Sequence, residues 1–161
     1  MAWNSFRNTK KLSACTAVGA VDTVSLASNT LTICPLKNWS GNTNPEYFTL
    51  TDKGALRILK PGTYLLSGSA FLYTLAPALG IDLAYTTTLD GTSLTRLYET
   101  RFQNGNGFDG GLSVPAKAIR FTEPADVYLR VQLRGNTGTL YPREAGTYLT
   151  AIRLNYEDEV K

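Results

Sequence analysis

The chain has 161 residues, of which 43% are hydrophobic, 11% aromatic and 18% charged; this suits one folded domain and excludes a disordered chain. Histidine is absent, which removes the commonest general base and the commonest metal ligand, and two cysteines cannot build a zinc site alone. The formal net charge of +3 is too mild and too scattered for a nucleic-acid stripe, and no apolar run approaches the roughly 20 residues of a membrane span, so neither partner is expected.

Residues 1–13 read as an extended arm. Trp3 and Phe6 are its isolated large apolar groups. Arg7, Lys10 and Lys11 are its cations, with no acid among the first eleven residues. Leu12-Ser13-Ala14-Cys15 matches a lipoprotein cleavage box, but polar residues precede it where an apolar segment is needed, so no export signal is expected. Cys15 and Cys34 then read as reduced, partly buried residues, with a disulfide between them as the alternative.

Strand-sized segments follow. Val18–Leu26 and Leu31–Leu36 are the first two, and 37–45 reads as a loop containing Trp39. Tyr47–Thr51 and Ala55–Leu59 flank the turn Asp52-Lys53-Gly54, and Lys60-Pro61-Gly62 is a strong turn signal. Thr63–Tyr73 is the clearest strand. One face carries Tyr64, Leu66, Gly68, Ala70 and Leu72; the other carries Leu65, Ser67, Ser69 and Phe71. Residues Phe71–Leu83 leave room for a helical turn. Ile81–Leu89 and Ser93–Phe102 flank Asp90-Gly91, a hairpin signal. Residues 104–111 are glycine-rich and read as a loop containing Phe108. Lys117–Thr122, Val127–Leu133 and Thr147–Leu154 complete the strands. No long segment has a 3.6-residue period, and strands at this spacing imply an antiparallel sandwich or barrel.

No chemistry stands out. Gly105, Gly107 and Gly110 match a dinucleotide fingerprint in form, but no helix follows to meet a pyrophosphate. Asp109 is a single carboxylate toward Ca²⁺. Asp82, Asp90, Glu99 and Glu123 carry no mark of a catalytic pair, and a serine nucleophile would lack histidine. No catalytic residue, cofactor or metal is expected. The tyrosines Tyr64, Tyr73, Tyr85, Tyr98, Tyr128, Tyr141 and Tyr148 read either as core or as interface. Tyr128 faces away from Val127, Leu129, Val131 and Leu133, which suggests interface; Tyr148 and Phe71 are similar.

The run Phe48–Phe71, with its Pro61-Gly62-x-Tyr64 turn, and the ending Thr147–Leu154 resemble the TNF/C1q-like jelly-roll superfamily over roughly residues 16–154. The resemblance implies an all-β, antiparallel two-sheet jelly-roll sandwich at 14–161, behind the arm at 1–13. It also implies a homotrimer, whose three-fold face would carry Leu65, Ser67, Phe71, Tyr128, Arg130, Tyr148 and Thr150. No collagen stalk, membrane anchor or export signal is read in the sequence. A jelly roll of this kind with an aromatic and basic arm looks like a tailed-phage capsid decoration (cement) or head-fibre protein. The expected partner is the major capsid protein, on the capsid exterior, gripped by Trp3, Phe6, Arg7, Lys10 and Lys11. One alternative is a head-fibre or tail-fibre tip binding a host receptor or glycan, which exposed Trp39 and Phe108 would favour. The other is a bacterial C1q-like surface module.

Overall fold

A computed structural model describes residues 13–154 apart from Asp90, Asn104 and Glu144. Trp3, Phe6, Arg7, Lys10 and Lys11 lie outside the described residues, as do the acids Glu157, Asp158 and Glu159. Among the described residues there are thirteen strands and no helix: β1 (Ala14–Gly19), β2 (Val24–Leu26), β3 (Leu31–Ile33), β4 (Leu36–Trp39), β5 (Phe48–Leu50), β6 (Leu56–Ile58), β7 (Gly62–Thr74), β8 (Ala78–Thr86), β9 (Thr95–Gln103), β10 (Phe108–Phe121), β11 (Ala125–Arg134), β12 (Gly138–Leu140) and β13 (Tyr148–Arg153).

The strands form two antiparallel sheets. The first runs β2-β12-β7-β13-β1-β4, with β10 on the free side of β7. The second runs β5-β6-β11-β8-β9, with β3 beside the far half of β11. The first and last long segments, β1 and β13, are neighbours inside the first sheet. This order is that of a two-sheet jelly roll.

Period-two alternation decides what lies between the sheets. Tyr64, Leu66 and Leu72 of β7 face Leu83 of β8 and Leu129 and Leu133 of β11, all without exposed surface. Gly68 sits at a close approach of the two sheets. A side chain there would meet Leu129 Cδ1 at 2.9 Å and Leu83 Cδ2 at 3.3 Å. Phe48, Tyr64, Phe121 and Tyr85 form a continuous aromatic series in the core, edge-on at its first and last pairs and tilted between Tyr64 and Phe121. Cys15 and Cys34 are free thiols in this interior.

Several expectations need correction. Val18–Leu26 is not one strand but β1 and β2, broken by a turn at residues 20–23. Leu31–Leu36 splits at Cys34 and Pro35, because β3 joins one sheet and β4 the other. Lys37, Asn38 and Trp39 belong to β4 rather than to a loop. Phe108–Gly111 opens β10 instead of closing a loop, since pairing with β7 outweighs the poor strand propensity of glycine. No helical turn forms between Phe71 and Leu83. The Asp90-Gly91 hairpin exists, but its connection spans residues 87–94.

Two outcomes follow. Gly68→Val should overpack the contact between the sheets and cost about 1–3 kcal/mol in urea unfolding. Burial pushes Cys15, Cys34, Tyr64 and Tyr98 up to about 12 from ordinary values of 9.0 and 10.0. These groups hold their protons longer in the folded chain than in the unfolded one. Their contribution is therefore complete below about pH 9 and is lost as pH rises toward about 12. The thermal midpoint should fall across that window, and Cys34→Ala should make the fall shallower.

Candidate self-association surface

The outward side chains of the first sheet line up in rows set by strand register. Ala14, Ile152, Leu65 and Ala118 form one row; Thr16, Thr150 and Ser67 form the next; Val18, Tyr148, Ser69 and Ser113 form a third. No charged side chain stands in these rows. Four of the hydroxyls are bonded within the sheet. Thr16 Oγ1 and Thr150 Oγ1 lie 3.0 Å apart, Ser113 Oγ donates to Ser69 Oγ at 3.1 Å, and Ser69 Oγ donates to the Leu112 carbonyl at 3.2 Å. A polar group already bonded inside its own sheet loses less when water is removed. Phe71 flanks the third row, with its ring edge-on to Tyr141 at 6.1 Å. Thr147 Oγ1 accepts the Phe71 N–H at 2.8 Å and donates to the Tyr141 carbonyl at 2.9 Å, which holds that corner. The surface is thus flat, uncharged at its centre and partly apolar.

The expected three-fold residues do not all share this face. Leu65, Ser67, Phe71, Tyr148 and Thr150 do. Tyr128 and Arg130 belong to β11 in the second sheet, so their grouping with the others is corrected. Their side chains do point away from the core, but the chain itself covers them. Tyr128 is fully buried beneath Lys53 and the 87–94 connection. Gly91 crosses its hydroxyl with φ +74°, where a side chain would be strained and would lie 2.9 Å from Tyr128 Oη.

Arg130 is part of an ion chain along the outer face of the second sheet. Its guanidinium grips Asp82 through two bonds of 2.7 and 2.9 Å. Arg96 bridges Asp82 at 2.8 Å and Glu99 at 3.1 Å, and Arg101 meets Glu99 at 2.9 Å. Asp82 and Glu99, which the sequence left without roles, are cross-strand neighbours in this chain. A second pair, Arg57 and Asp126, lies at the other end of the face, with bonds of 2.6 and 3.0 Å. The hydrogen bond to Asp126 raises the pKa of Arg57 above its ordinary value. The centre of one outer face is therefore uncharged, with Asp109 and Arg120 only toward the ends of β10, and the other face carries most of its charges in ion pairs.

Trp39 and Phe108 are half-buried and pack on the core, Phe108 edge-on to Phe102 at 4.9 Å. They do not form the exposed loop aromatics expected of a glycan-binding tip. Sequence reasoning missed Ala14, Thr16, Val18 and Ile152. The signal was the alternation of Cys15, Ala17 and Gly19 against their neighbours. The early expectation started the strand at Val18 and lost it.

Asp82→Ala should leave the Arg130 guanidinium buried without its carboxylate and cost about 3–5 kcal/mol. Arg101→Ala, at the exposed end of the same chain, should change stability by less than about 1 kcal/mol. Urea unfolding of the two variants gives the comparison.

No protein-family model matches the sequence, and neither does any curated protein. Solved structures do match the fold. The Eiger TNF structure from S. frugiperda aligns with a TM-score of 0.63 at 16% identity, over 93% of this chain and 98% of that one. A murine APRIL structure aligns with a TM-score of 0.64 at 14% identity, over 89% of this chain and 100% of that one. At this identity the likeness concerns the fold: the chain is a TNF-like jelly roll.

Proposed function

We propose that this chain is a non-catalytic virion structural protein, a homotrimer that decorates a tailed-phage capsid. One observation carries the reading. The strands that bear the uncharged outer rows also carry the exits of both ends of the described chain. The Arg153 N–H donates to the Ser13 carbonyl at 2.8 Å, and the Leu154 N–H donates to the Thr63 carbonyl at 2.8 Å. The first and last described residues, Ser13 and Leu154, therefore lie at one end of one sheet.

Three copies joined through Leu65, Ser67, Phe71, Tyr148, Thr150 and their row neighbours would bring the three Ser13 residues, from which the arms start, to one side. Three weak arm contacts then act as one strong attachment, because the second and third form within a single complex. Trp3 and Phe6 suit apolar pockets on the major capsid protein, and Arg7, Lys10 and Lys11 suit its acidic patches. The trimer itself rests on the family resemblance and on a face that loses little on drying. The paired charges of the second sheet suit the solvent side of such an assembly.

Light scattering behind a sizing column should give three times the chain mass. Ser67→Arg puts like charges together at the centre of the rows and should yield a folded monomer, with unchanged circular dichroism. A wild-type monomer, or a Ser67→Arg trimer, would sink the interface. Removing residues 1–12 leaves Ser13 in place to hold Arg153. That truncation should remain a trimer yet no longer sediment with tailed-phage heads prepared without the protein. Undiminished co-sedimentation would refute the arm assignment.

A further inference from the structure

A cleft of about 400 Å³ opens at one end of the second sheet's outer face. Its volume falls within the range of small-molecule sites, roughly 300–1,000 Å³. Strand register builds its floor: Thr49, Arg57 and Asp126 stand side by side across β5, β6 and β11. The turn after β5 supplies one wall with Asp52 and Lys53, and Leu89 supplies the other.

Arg57 is held in place for binding. Asp126, with 1% of its side chain exposed, takes the Nε and Nη2 donors of Arg57 and fixes the plane of the guanidinium. Nη1 takes no part in that pair, and the side chain remains 29% exposed. Thr49 is exposed beside it and can donate or accept. Asp52 is exposed at the rim and accepts only. Among the described lining residues the formal charges cancel, Asp52 against Lys53 and Arg57 against Asp126. A charged ligand would gain little net attraction here. Leu50 and Leu89 add apolar surface. Leu89 has φ +58°, a backbone conformation that a leucine adopts only at a cost. That strained residue is the one that overhangs the floor.

We infer that this cleft binds a neutral saccharide. Sugar hydroxyls both donate and accept, so they match a fixed guanidinium edge, a threonine hydroxyl and a carboxylate set close together. The C–H face of a sugar ring matches Leu50 and Leu89. The inference stands apart from self-association, and a monomeric chain would carry the same cleft.

The test is an amide-resolved NMR titration of the whole chain with maltotriose and chitotriose at millimolar concentration. One parallel arm uses immobilised neutral bacterial surface polysaccharide, which separates a cell-surface glycan from a free sugar. Another uses glutamate and an acidic peptide. A neutral sugar should shift the amides of Thr49, Thr51, Arg57 and Leu89. Thr49→Val and Leu89→Gly keep the Arg57–Asp126 pair and should each weaken binding by about tenfold or more without loss of folding. Silence from all the neutral saccharides would overturn the assignment. So would shifts that survive both variants, or shifts that appear with glutamate or the acidic peptide alone.

Discussion

The alternation of a single strand organises this molecule. β7 is thirteen residues long and pairs with β10 on one side and with β12 and β13 on the other. Its inward residues pack the core, and its outward residues carry no charge. A slip of one residue would exchange the two sets and send Tyr64, Leu66 and Leu72 into water. The register is pinned where the strand is most crowded. At Gly68 the second sheet lies within contact distance of the backbone, and no larger residue fits without displacement. At the bulge between Val114 and Lys117, Tyr98 reaches across from β9 to donate to the Leu66 carbonyl at 2.6 Å. That bond ties the two sheets together where the β10 ladder is interrupted.

The two outer faces solve the problem of exposure in different ways. The second sheet carries arginines and carboxylates that pair along the strands, so most of its charge is held in ion pairs. Asp82 serves two arginines and is the least replaceable member. The first sheet has hydroxyls bonded to each other and aliphatic groups between them. The central rows of that face carry no charges to strip of water on docking. This division makes one side of the sandwich sociable and leaves the other as a finished surface. It also separates Tyr128 and Arg130 from Phe71 and Tyr148, although all four sit on outward positions of long strands.

The sequence made the sandwich class legible because its strands are bounded by Pro61-Gly62, Asp52-Lys53-Gly54 and Glu123-Pro124, and because Thr63–Tyr73 and Val127–Leu133 alternate cleanly. Outward positions within each strand were also readable from that alternation. Which sheet a strand joins was not. Period two tells a residue's face within its own strand but carries no information on the neighbour across the sandwich, so β11 was grouped with β7 and β13. Glycines hid the first half of β10, where partner strands decide the conformation rather than local preference. The short β12 was invisible because three residues carry no period. Asp82 could have been read: a carboxylate between Ile81 and Leu83 in a buried strand demands a cation, and Arg130 and Arg96 were within reach once the sheet was known. The cleft beneath Leu89 had no local signal, since it is assembled from three distant segments.

The pairing of β1 with β13 bears on how the protein can be made. β13 sits between β1 and β7, so the first strand and its partner β4 cannot join the rest of the sheet until the last has been synthesised. A chain emerging from the ribosome can assemble the second sheet while the first still lacks its middle. β7 then shows an open edge along Tyr64–Ser69 to the crowded solution around it, a hazard for edge-to-edge misassociation. Closure of that edge is a single late event, and it creates the uncharged outer rows at the same moment. Any surface that docks there meets a chain whose last strand is already in place, so the order of the strands itself keeps folding ahead of assembly.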